Sequence, residues 1–182
     1  MSRLLIYLLT IFLLFSALGN AQTFEFKKYT NQTYKFSFDI PIHWTIKYSK
    51  EQDGVICIPT TKAEKEIYED CFEGIVFRMF SYNSGLDTTL FNEGLYTKID
   101  SIYYTSDKFR DSVKCENIKG DTWTGIYHNN ACGGRCKDIG THLGQCEFIY
   151  FSNDKTTICI TTNGREFDDK ILKRLLNSFR FD

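Results

Sequence analysis

The sequence predicts an α+β fold, a mainly antiparallel β-sheet flanked by helices. Short runs in which apolar and polar residues alternate recur along the chain, the period of a half-buried strand. Turn residues separate several of them by only a few positions, so neighbouring strands are read as hairpins. Two segments change to apolar spacings of three and four, the period of an amphipathic helix. A sheet face is the large surface on which such helices can bury their stripes.

Residues 1–21 read as a secretory signal peptide. Arg3 precedes an apolar run from Leu4 to Leu18, and Gly19-Asn20-Ala21 supplies small residues for cleavage after Ala21. The run is short for a bilayer span of about 20 residues, and no cysteine follows it to carry a thioether-linked lipid. Residues 22–182 are then expected to form a single exported α+β domain, periplasmic or secreted, large enough to bury its own core. No other apolar run is long enough to span a membrane after cleavage. The chain carries 22 basic and 23 acidic side chains, and the signal removes one arginine and no acids. That near-neutral balance gives no electrostatic case for nucleic acid or anionic lipid.

The strands follow in order. Residues 23–26 form a short first candidate. Tyr34 to Ile40 alternates and is interrupted by Pro41, which has no N–H for a ladder. Ile42, Trp44, Ile46 and Tyr48 form the next alternating set, and Asp53-Gly54 turns the chain into Val55 to Ile58. Thr61 to Cys71 is charged, with a capping box at Thr61 and Glu64 for a short helix. Gly74 to Tyr82 is apolar on both faces and suits a central strand. Leu86, Leu90, Phe91, Leu95, Ile99 and Ile102 then predict a helix across 84–102, capped through Ser84 and Asp87.

Val113 to Cys115 and Trp123 to Tyr127 are read as strands, followed by a loop at 129–144 and a hairpin of 145–152 with 156–162. The last helix carries Phe167, Ile171, Leu172, Leu175, Leu176 and Phe179 as one stripe. Asp168 and Asp169 stand in its first turn, as the helix dipole prefers.

Two stretches carry a family resemblance. Y-K-F-S-F-D-I-P-I-H-W at 34–44 looks like the opening of PsbP-like domains, with an aromatic strand, Ile-Pro, and then a Trp. I-L-K-R-L-L-N-S-F-R-F at 171–181 resembles their closing helix and its Ser-Phe-aromatic run. The resemblance implies an α/β/α sandwich, an antiparallel sheet between helices, working as a binding or assembly module. Both motifs are structural, so no functional residues carry over. The cysteines and the 129–144 loop depart from the family pattern.

All seven cysteines lie beyond the signal, and an exported chain permits disulfides. Seven is odd, so at least one stands outside any set of internal pairs. Cys57 and Cys71 flank the charged segment, and a bridge there would close a loop of about 15 residues, worth ~3 kcal/mol in the chain-entropy reading. Cys132, Cys136 and Cys146 are the other candidates, with Cys146 the simplest partner for either of the first two. Cys115 and Cys159 sit within strands and suit small core positions.

The alternative use of the same loop is a zinc site. His128, Cys132, Cys136, His142 and Cys146 are ligand types that zinc prefers, but their spacing matches no standard ribbon or finger. Tyr82 and Tyr103-Tyr104 are candidates for a binding surface, with core packing the first explanation. His43 is expected on an exposed face, and Asn31-Gln32-Thr33 matches a glycosylation sequon. The chain contains no G-x-S-x-G, H-E-x-x-H, phosphate-loop or calcium-loop motif. The reading is therefore a disulfide-stabilised, non-enzymatic module with no cofactor, binding a protein or cell-envelope component. A small zinc-dependent or hydrolytic enzyme built on 128–146 is the alternative.

Overall fold

The computed structural model describes residues 25–48, 54–59, 77–106, 112–136, 140–162 and 168–182, with side chains for all of these except 47–48, 54–59, 77, 132–136 and 140–144. The signal peptide, Cys71 and the short helix expected within 61–71 lie outside the described residues.

One seven-stranded antiparallel sheet organises the described chain, in the order β3-β4-β5-β12-β11-β10-β9. These strands are β3 (Trp44–Tyr48), β4 (Gly54–Pro59), β5 (Phe77–Tyr82), β9 (Glu116–Lys119), β10 (Thr124–Cys136), β11 (Gly140–Ser152) and β12 (Thr157–Thr162). The central strand β12 is buried at all six positions, so it feeds a core on each face by strand alternation.

On one face, Ile149, Phe151, Ile158, Ile160 and Met79 pack with Trp44 and Trp123. This core is closed by α2 (Asp169–Ser178) through Ile171 and Leu175, and by a small sheet ordered β1-β2-β13. Those strands are Phe26–Asn31, Phe36–Pro41 and Arg180–Phe181. Phe179 is the centre of the packing. It stacks on Phe151 at 3.9 Å and 7°, and its carbonyl accepts the Trp123 indole N–H at 3.0 Å. Gly125 is required beneath: a Cβ there would meet the Tyr150 carbonyl oxygen at 1.8 Å.

The other face is covered by α1 (Leu86–Glu93) and a third sheet ordered β6-β7-β8, over Tyr96–Ile99, Ile102–Thr105 and Val113–Lys114. Leu90, Tyr103, Cys115, Ile126, Tyr150 and Cys159 form this second core.

The expected α/β/α sandwich is therefore corrected to a β-rich fold, with three sheets among the described residues. Each face of the main sheet is covered by a three-stranded sheet as well as one helix, and the two described helices have only 8 and 10 residues. The physical reason is visible at residues 84–102. Gly94 takes a left-handed conformation, φ 68°, and its N–H bonds to the Phe91 carbonyl, ending α1. Asp100 and Ser101 both have positive φ, 49° and 66°, and turn β6 tightly into β7. The helical spacing of Leu95, Ile99 and Ile102 is a coincidence of a strand that follows a helix.

The second correction concerns 129–144. β10 and β11 pair without interruption from Thr124↔Ser152 to Cys136↔Gly140. The glycine-rich composition hides a strand signal, because glycine is a poor strand former.

The terminal helix buries Ile171 and Leu175 of its expected stripe, with Leu172 and Leu176 partly buried and Phe179 just past its end; Phe167 lies outside the described residues. Asp168 caps it by accepting the Lys170 N–H at 2.9 Å, and Arg174 Nε donates to Asp39 on β2 at 2.7 Å. Leu175 is fully buried against the first core. Leu175→Ala is expected to cost about 2–5 kcal/mol, and Leu175→Asp more, because an unpaired carboxylate would be buried. Lys173→Ala on the exposed side should stay within about 0.5 kcal/mol. Urea melts of the three variants check this, and an unchanged midpoint for Leu175→Asp would mean that the helix is not docked.

Candidate functional site

Two places in the fold gather chemistry, and both involve the second face of the main sheet. The first lies under α1 and β6. The hydroxyl of Tyr96 is 2.9 Å from His128 Nε2 and donates to the Tyr150 hydroxyl at 3.0 Å. His128 is buried, stacks on Phe148 at 4.9 Å and 10°, and meets the Tyr96 ring edge-on. Nearby, Tyr82 donates to the Glu93 carboxylate.

Burial sets the charge state of this cluster. Desolvation pushes the Cys115 thiol up to about 11 and holds the fully buried Cys159 thiol further above its usual value. Burial likewise raises the phenols of Tyr82, Tyr96 and Tyr150. It lowers His128 to about 4, with an opposing contribution from Asn130. His128 Nδ1 and Asn130 Oδ1 nonetheless fall outside hydrogen-bond geometry with any partner among the described residues. Asn130 is therefore near enough to act electrostatically without forming a good bond. The site holds neutral imidazole, thiol and phenol near neutral pH. Thiol nucleophilic chemistry needs the thiolate, and this environment works against it. The cluster is a polar support for β6 and α1.

Above the support is an open surface. Lys98 Nζ donates to both oxygens of Asp87, at 2.8 and 3.0 Å, and lies 4.8 Å over the Tyr103 ring. The Tyr103 hydroxyl also donates to Asp87. The ammonium and the phenol hold the Asp87 carboxyl below its usual value. Two cavities of about 380 and 250 Å³ adjoin this group, sharing Asp87, Lys98 and Tyr103. A third, of about 340 Å³, lies along β6 and includes Leu95, Ile99 and Tyr104. Phe91, Leu95 and Ile99 are 80%, 56% and 55% exposed, so large apolar side chains ring the cavities.

The second place is the β10–β11 ribbon. β9 pairs with β10 only over 124–127, and β12 pairs with β11 only over 148–152. Beyond these, among the described residues, the two strands pair only with each other. His128, Cys132, Cys136, His142 and Cys146 all stand at positions of one parity in the register. Cys136 pairs with Gly140, His142 with Gly134, and Cys132 with Gly144. Along the ribbon the five positions alternate between strands as a zigzag, each diagonal to the next.

Of the predicted residues, His128 sits in the tyrosine cluster with Nε2 against Tyr96. Cys146 is buried and disulfide-bonded. Cys115 and Cys159 are free and buried, as small core residues. Cys57 lies on β4, opposite Ile46 and Phe77, and the side chains of Cys57, Cys132, Cys136 and His142 fall outside those described. Among the described residues, no three His, Cys, Asp or Glu side chains group as metal ligands. His43 is half-buried. Asn31 of the sequon is buried, and its side chain accepts from the Thr33 and Tyr34 N–H groups. Sequence reasoning missed Tyr96 and the Asp87–Lys98 pair, because both depend on the turn at Gly94.

The sign of the His128 shift gives a pH dependence. Its folded value lies below the unfolded value of about 6.5, so stability is fully present above that pH and is lost as pH falls toward 4. The loss should reach ~3 kcal/mol. His128→Phe should remove that part of the acid sensitivity. Urea melts of both proteins between pH 7 and 4 check it; parallel pH profiles would contradict the assignment.

No family model matches this chain, and no curated protein does. It is similar to a crystal structure from Bacteroides thetaiotaomicron VPI-5482, at 11% sequence identity and a TM-score of 0.49. The match covers 86% of this chain and 48% of that one, so this chain spans about half the length of its structural neighbour.

Proposed function

We propose that this chain is an exported binding module, without catalytic chemistry of its own, that holds a protein or cell-envelope component on the α1–β6 surface. The observation supporting it is the exposure of Phe91 at the cavity beside Tyr96 and Tyr103, and of Leu95 and Ile99 at the adjoining cavity beside Tyr96 and Tyr104. Clustered apolar side chains left in water are a feature of contact surfaces, and an aromatic beside a cavity is a usual anchor. The bonds from the Tyr96 hydroxyl to His128 and to Tyr150 brace the strand behind the patch. A surface fixed before contact loses less conformational entropy on binding. The Asp87–Lys98 pair would form part of the polar rim.

Retention of the purified domain on the envelope fraction of its own cells tests the proposal. Phe91→Glu and Ile99→Glu stand on exposed positions and should alter stability by about 0.5 kcal/mol or less. Each should weaken retention by about tenfold or more. Folded variants retained as strongly as the parent protein would contradict the assignment of this surface.

A further inference from the structure

We propose that the disulfide of Cys146 is made with Cys132, across the β10–β11 ribbon where it leaves the sheet. Cys146 is disulfide-bonded, and Cys115 and Cys159 are free. The remaining cysteines are Cys57, Cys71, Cys132 and Cys136.

The register separates three of these. Cys146 pairs with Asn130, and Cys132 stands two positions further along the opposing strand with the same parity. Cys136 stands six positions along, about 20 Å at the rise of a strand. Cys57 is on β4, three strands from β11 in the sheet order, about 14 Å at the usual spacing.

Diagonal neighbours in a ladder are about 7–8 Å apart, and a disulfide takes Cα atoms about 4.4–6.8 Å apart. A two-stranded ribbon twists more strongly than a wide sheet, and that twist brings one of its two diagonals closer together. Cys132 and Cys146 stand on a diagonal of the ribbon. Gly144 faces Cys132, and Gly133-Gly134 follow it, so the ribbon carries few side chains to resist extra twist.

The bond forms by exchange with an external disulfide oxidant. Each of the two thiols gives up one hydrogen, the new S–S bond joins Cys132 to Cys146, and the oxidant leaves as two thiols. The product fastens the ribbon beside the stacked His128 and Phe148 rings. The part that extends past the sheet is then a cross-linked arm, with Cys136 and His142 as the next diagonal pair toward its turn.

Tryptic mapping of the full chain, alkylated in acid without reductant, tests the pairing. Lysines and arginines divide the sequence so that every cysteine falls in a different peptide: 51–62, 66–78, 115–119, 120–135, 136–137, 138–155 and 156–165. The expected species joins 120–135 to 138–155 and resolves into the two on reduction. Peptides 115–119 and 156–165 should be recovered alkylated. In Cys132→Ser, amide exchange across 128–147 should quicken by about tenfold or more, as it should in the reduced parent. Peptide 138–155 joined to 66–78, 51–62 or 136–137, or recovered alkylated from the untreated protein, would overturn the proposal.

Discussion

Burial of the central strand on both sides is the constraint on which the rest depends. β12 has no exposed residue, and its alternating side chains enter two separate cores. Ile158 and Ile160 pack under α2 and the β1-β2-β13 sheet, while Cys159 packs under α1 and the β6–β8 sheet. A six-residue strand with neither face in water needs cover on both. Each cover here combines a helix with a small sheet, because neither described helix is long enough to shield seven strands.

The candidate surface follows from that requirement on the second face. Tyr96 reaches inward from β6 to meet Tyr150 and His128 on the main sheet. Strand alternation then turns Leu95 and Ile99 outward, where both are exposed. Inward polar bonds and outward apolar side chains are therefore two results of one register. The Asp87–Lys98 pair ties α1 to the same strand, with Lys98 on the Tyr96 side of β6 and Leu95 and Ile99 on the other.

Individual elements were legible in the sequence, but the way they are layered was not. The alternation through Phe36, Phe38 and Ile40 and the stripe through Ile171 and Leu175 both mark residues that enter the first core. The hairpin at Asn153-Asp154 was also visible, and Asp154 there has a φ of 69°. The helix expected through residue 102 was misread because Leu95 and Ile99 continue its spacing by chance, while the stop lies in one glycine and a two-residue turn. The ribbon was read as a loop because Cys132 to Cys136 offers glycine and charge where strand propensity favours branched and aromatic residues. The five His and Cys positions were legible as a cluster. Their zigzag order required the register, since it depends on which glycine faces which residue.

Residue-resolved amide hydrogen exchange tests the central claim most directly. If β12 is the shared wall of two cores, the amides of Ile158 to Thr161 should exchange only through global unfolding. Their opening free energies should then equal the value from urea unfolding of the same sample. Exchange of these amides well below the global free energy, with strand β2 or helix α2 still protected, would show that the two cores open independently and contradict the account.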